Sequence, residues 1–269
     1  MRVYGVDFTC APRRAKAITV AAGVLRNRTL RIGEIENLQS FAEFEAFLAR
    51  PGPWIGGFDF PFSLPLELVR DLGWPKPWRE LVAHCAAMTR LELRAALDAY
   101  RNSRRPGSKY AHRATDLPAG SSSPMKLVNP PVALMFHEGA RRLAAAEVDL
   151  PHLLPRNFSR IALEAYPGLL ARKQLGVRAS YKSDTRSEHT PARKAARRDI
   201  VRALKAGKPL GIRLDAPRAI EKRALEDGSG DTLDAVICAL QAAWGWQRRN
   251  SNYGLPAHAP AGEGWIVTA

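Results

Sequence analysis

Cysteine is scarce. Cys10, Cys85 and Cys238 are the three among 269 residues, and their wide spacing and odd number fit neither a CxxC metal or redox motif nor a disulfide framework. A reducing compartment is expected. Histidine is also thin: His84, His112, His137, His152, His189 and His258 show no HxxxH or paired-ligand spacing, so an imidazole-based zinc centre is not expected. No GxxxxGK[ST] loop is present, which excludes a P-loop NTPase, and no GxSxG elbow marks a hydrolase serine. Long apolar runs are missing too. Nothing approaches the ~20 residues of a membrane span, and the N-terminus lacks the apolar stretch of a signal peptide. The expected setting is the cytoplasm, without a membrane partner.

Negative charge is in deficit. Lys and Arg number 41 against 26 Asp and Glu, a formal net charge of +15, so the molecule carries a field that draws polyanions before contact. Nucleic acid, DNA or RNA, therefore leads the expected partners, although Arg- and Ala-rich codon usage would also raise the charge. The apolar fraction of 46% with 25% charged residues is that of a globular protein.

Along the chain, Arg2 to Phe8, Ala17–Leu25 and Thr29–Ile35 read as three strands of a meander, with Arg26-Asn27-Arg28 as a turn. Ser40-Phe41-Ala42-Glu43 is a capping box opening a helix, and Trp54–Phe60, apolar without polar alternation, suits a strand buried on both faces. From about 61 to 160 the pattern is helical but interrupted, with starts at Ser63, Thr89 and Pro130-Pro131, and reads as an insertion or cap in a single domain. Its turn-rich middle, Arg101 through Pro124, predicts a mobile functional loop or local disorder. A strand over Arg160–Ala165 follows. Thr190-Pro191 then opens a basic helix, Gly230-Asp231 opens a long apolar one, and Gly264–Thr268 allows a last small strand.

Acidic residues fall at informative places. Asp7 and Asp59 close the first and fourth strands, Glu164 lies near the end of the fifth, and Asp231 and Asp234 share one face of a helix's first turn. Carboxylates gathered at one sheet edge repel unless a cation neutralises them. Hard oxygen ligands select Mg2+ or Mn2+, and two such ions can activate water and stabilise the leaving oxygen in phosphodiester hydrolysis. Singly, each acid is more often a turn or helix-start residue. Asp59 and Asp234 stand out because each interrupts an apolar stretch, where an unpaired carboxylate is costly.

The segments Val-Tyr-Gly-Val-Asp7-Phe-Thr, Gly-Gly-Phe-Asp59-Phe-Pro-Phe, Glu164-Ala-Tyr-Pro-Gly, Tyr181-Lys182, Asp231-Thr-Leu-Asp234-Ala and Glu263-Gly-Trp-Ile resemble the motifs of the domain-of-unknown-function 429 family, predicted nucleases with an RNase H-like fold. The resemblance implies an α/β fold with a mixed five-stranded sheet in the order 3-2-1-4-5, flanking helices, and a carboxylate site of the RuvC resolvase kind. Asp7, Asp59, Asp231 and Asp234 would then hold the metal. RuvC resolvases typically carry Glu on the fourth strand, so Asp59 is shorter by one methylene and Glu164 could compensate.

The expected function is a metal-dependent nuclease, with Asp7, Asp59, Asp231, Asp234 and Glu164 catalytic and Arg13, Lys182, Arg193 and Arg197 contacting phosphates. Two other classes compete. A nucleic-acid-binding protein of the same fold without turnover accounts for the charge, and an actin-like small-molecule kinase shares the strand ending Gly-Val-Asp. The latter also needs glycine-rich phosphate loops, and Phe-Thr-Cys-Ala-Pro follows Asp7.

Overall fold

A computed structural model describes residues 1–156 and 159–269. Its strands form one mixed sheet in the order β5-β4-β1-β2-β3-β6. β1 (Arg2–Asp7), β2 (Ile18–Arg26) and β3 (Thr29–Leu38) make the antiparallel meander. Asn27 turns the hairpin at φ 51°, a left-handed conformation that asparagine tolerates better than most side chains. β4 (Trp54–Asp59) pairs in parallel with β1, and β5 (Arg160–Glu164) in parallel with β4.

The sheet departs from the expected five strands. β6 (Arg213–Asp215) adds in parallel outside β3, and its three residues, of which Leu214 alone is buried, are too few for an alternation to be read. The strand expected over Gly264–Thr268 reduces to one bridge between Ile266 and Glu164.

Both faces of the sheet are covered. Tyr4, Val6, Trp54 and Phe58 enter one core, and Val3, Ile55, Ile161 and Leu163 enter the other, as the strand period of two requires. The first core is closed by α1 (Phe41–Leu48) and by the helical stretch between β4 and β5. That stretch holds α2 (Leu66–Asp71), α3 (Trp78–Ala87), α4 (Arg90–Ser103), the short α5 (Asp116–Ala119) and α6 (Val132–Ala146). Positions 157 and 158 of the expected insertion lie outside the described residues. The second core is closed by α7 (Pro191–Lys205), α8 (Arg218–Glu226) and α9 (Asp231–Gln247). Among the described residues no helix is long and apolar enough to cross a membrane.

Helix starts follow the sequence. Thr89 and Glu92 cap α4 reciprocally, and Thr190 accepts from the Arg193 amide at 3.3 Å with Pro191 in the first turn of α7. At α1, Ser40 accepts from the Glu43 amide, but the Glu43 carboxylate reaches back to the Gln39 amide at 2.7 Å, one residue beyond the expected box.

The basic loop after α4 is pinned rather than free. Arg113 within it is 2% exposed. Its guanidinium bonds Asp116 and, through two nitrogens at 2.8 and 2.7 Å, both oxygens of Glu164 on β5. Glu263 accepts from the amides of Leu66 and Ala114 at 2.8 Å each, tying the C-terminal segment to the same loop.

Candidate metal centre

β1 and β4 run in register, so Asp7 stands opposite Asp59 and Gly5 opposite Gly57. Strand alternation turns all four toward α9, on the side of Val3 and Ile55. The glycines decide how close the helix comes. A Cβ on Gly5 would collide with the Ala235 carbonyl, and one on Gly57 with that of Cys238. α9 therefore rests backbone against sheet, and its first turn delivers Asp234 to the two strand ends. One oxygen from each of Asp7, Asp59 and Asp234 lies within 4.8 Å of the others.

Asp234 is fully buried and carries one donor on each oxygen. The Tyr181 hydroxyl donates to its Oδ1 at 2.6 Å, and the Lys182 ammonium bonds its Oδ2. Gly230, at φ 81°, both supplies the left-handed start of α9 and leaves room for Lys182, whose side chain a Cβ there would strike. Asp7 and Asp59 differ. Neither carboxylate receives a hydrogen bond from the described residues, although Asp7 is only 8% exposed.

The electrostatics follow from this crowding. Burial, then the charges of Asp231 and Asp234, push the Asp7 carboxyl well above its ordinary range. Burial with Asp234 and Glu164 outweighs the Lys182 ammonium and lifts Asp59 to about 7. Burial works against the charged form of Lys182, but Asp234 more than offsets it and the ammonium is held well above its usual pKa. Two carboxylates without donors among the described residues, Asp7 buried and Asp59 half-buried, beside a third, are a donor set that a hard cation fits. Their spacing matches oxygens placed about 2.0–2.6 Å from one ion.

The other expected acids stand elsewhere. Asp231 lies outside the close trio and pairs with Lys16 at 2.8 Å, and Lys16 also reaches the exposed Asp184 at 2.9 Å. Glu164 faces the opposite side of the sheet. The register pairs it with Phe58, not Asp59, so the pleat sends its carboxylate toward the helical stretch, where Arg113 takes both oxygens. It does not join the trio.

Of the expected phosphate contacts, Lys182 sits in the site with its side chain 43% exposed. Arg13 is exposed near the rim, where its backbone pairs with that of Lys16. Arg193 bonds Glu188 at 3.0 Å. Arg197 is turned inward at 2% exposure and donates to the carbonyls of Leu225 at 2.9 Å and Tyr181 at 2.6 Å. It holds the Tyr181-Lys182 segment over α9 and presents no face to a phosphate. Its place in a basic run, Arg193-Lys194-Ala195-Ala196-Arg197-Arg198, hid this, yet Ala196, Ile200 and Leu204 mark the adjacent buried stripe. Lys16 carried no sequence signal, because it lies in the turn-like stretch before β2.

A cleft of about 210 Å³ lined by Arg14, Lys16, Asn37, Arg223 and Asp231 among others opens beside the acids. A larger groove of about 620 Å³ along Arg104, Lys109 and Tyr110 shares no lining residue with that cleft or with the acid trio.

Fold and site together define a mixed α/β protein with a convergent carboxylate centre at the carboxyl edge of its sheet. The chain belongs to the DUF429 family, described as proteins of unknown function, whose model matches residues 5–260. No curated protein and no solved structure matches it.

Proposed function

We propose that the protein is a metal-dependent nuclease of RNase H-like fold that hydrolyses phosphodiester bonds of DNA or RNA. The observation that carries this reading is the convergence of Asp7, Asp59 and Asp234 within 4.8 Å, two of them without donors among the described residues, in a molecule of net charge +15. Asp7, Asp59 and Asp234 would hold Mg2+ or Mn2+, with Asp231 at the border; when bound, such an ion would supply Lewis acidity for activating water and stabilising the leaving oxygen. The chain's own groups do the rest. Tyr181 and Lys182 fix the orientation of Asp234, and Arg197 fixes their backbone. Arg13 and Arg14, exposed near the rim, meet the polyanion without reading its bases. Glu164 contributes through Arg113, anchoring the loop that follows α4.

The test is cleavage of single- and double-stranded DNA and RNA with Mg2+ or Mn2+, against the same reactions in excess chelator. Metal-dependent cleavage lost in Asp7→Asn supports the reading. Cleavage that persists in chelator overturns the metal dependence, and cleavage of no polymer leaves the non-catalytic binder, which the internal neutralisation of Asp231 and Asp234 by lysines favours.

A further inference from the structure

The acid centre is partly neutralised by the chain itself. Four carboxylates, Asp7, Asp59, Asp231 and Asp234, face two ammonium groups, Lys16 on Asp231 and Lys182 on Asp234. The shortfall is two positive charges, that of one divalent ion. Asp184 also touches Lys16, but it is 82% exposed and screened by solvent.

The hydrogen bonds point the same way. Among the described residues Asp7 and Asp59 have no donors on their carboxylates, whereas Asp234 has one donor on each oxygen, Tyr181 on Oδ1 and Lys182 on Oδ2. Asp234 can therefore complete one coordination shell with Asp7 and Asp59, but it cannot also ligate a second ion on the Lys182 side while the ammonium stays. Asp231, the remaining acid, is taken by Lys16 at 2.8 Å. From this we infer that the centre takes a single divalent ion among Asp7, Asp59 and Asp234, and that Lys182 occupies the place of a second one as a built-in cation. The inference rests on the metal-dependent reading above and narrows it from two ions to one ion and a lysine.

Lys182 is well made for that position. It arises next to Tyr181, whose carbonyl is gripped by buried Arg197, and passes over Gly230, the one residue type that leaves it space. Its backbone is thus held from α7 while its ammonium reaches α9. A lysine there supplies one positive charge with three donors, where a second divalent ion would supply two charges and demand further oxygen ligands.

The experiment counts Mn2+ bound per chain by equilibrium dialysis, with free Mn2+ read by its EPR signal, on the full-length protein. Wild type is expected to bind one ion, and Asp7→Asn none. Lys182→Met is expected to bind two, the second at the vacated oxygen of Asp234 beside Asp231. Lys182→Ala removes both the charge and the donor and likewise vacates that oxygen, so it gives the same count if the Met variant does not fold. Lys182→Arg keeps the charge and should stay at one. Two ions on wild type overturn the inference and leave the nuclease proposal standing. One ion on both neutral variants also overturns it, because Lys182 would then exclude nothing. No ion on wild type overturns both.

Discussion

Asp7 and Asp59 are the two acids of the trio that receive no hydrogen bond from the described residues, and their raised pKa values give the protein without metal a pH signature. Asp59 titrates near 7 in the folded chain and near 4 when unfolded. Between those values the folded state binds more protons, so stability without metal falls as pH rises through the window, and Asp7 pulls the same way. Metal needs the deprotonated acids, so its stabilisation grows over the same range. Thermal unfolding at pH 5 and pH 8, in chelator and in Mn2+, should show the gap widening at pH 8, and Asp59→Asn should flatten the chelator series. Asp7→Asn should lower metal-dependent cleavage on the order of 10²-fold or more, the scale of losing one electrostatic contributor. Polyanion binding should persist or tighten. Asp231→Asn should be milder, since its carboxylate is already engaged by Lys16.

At the scale of elements, the contact between α9 and the sheet sets the site, and two glycines set the contact. Gly5→Ala must push α9 off β1 because its Cβ meets backbone, which does not yield as a side chain would. The expected cost is at least about 1–3 kcal/mol, with Mn2+ binding weakened even in protein that circular dichroism reports as folded. Normal binding in a folded Gly5→Ala variant would detach the site from this contact. The loop after α4 leans likewise on a buried pairing: Arg113→Ala takes the guanidinium from Glu164 and Asp116, and should cost about 3–5 kcal/mol and open the loop to limited proteolysis. Much of this layer was legible in the chain. The meander, the capped helices and the acids at strand ends follow from period, turn residues and caps, all of them local signals. What escaped was non-local. Glu164 was misplaced because its face depends on pairing with Phe58, which a lone strand does not reveal. Arg197 looked like one more charge on a basic helix, and β6 was too short to carry a pattern.

For the whole molecule, the surplus of positive charge should make nucleic-acid affinity fall steeply with salt, with a log–log slope of roughly −0.9 per phosphate neutralised on duplex DNA. Titrations at several ionic strengths check this, and a flat response would remove the electrostatic account of binding. The long helix that seats on Gly5 and Gly57 has a consequence for the order in which the molecule comes into being. The trio of acids joins residues 7, 59 and 234, and Lys182 and Tyr181 arrive between the last two. Chain closure over such separations is slow compared with local helix formation. A growing chain can pair β1 with β2 and β4 long before α9 exists, and until α9 docks it has two of the three acids and no lysine on Asp234. The three acids are thus brought together only at the close of folding, all at once, and partly made copies near the ribosome's own RNA hold an incomplete trio.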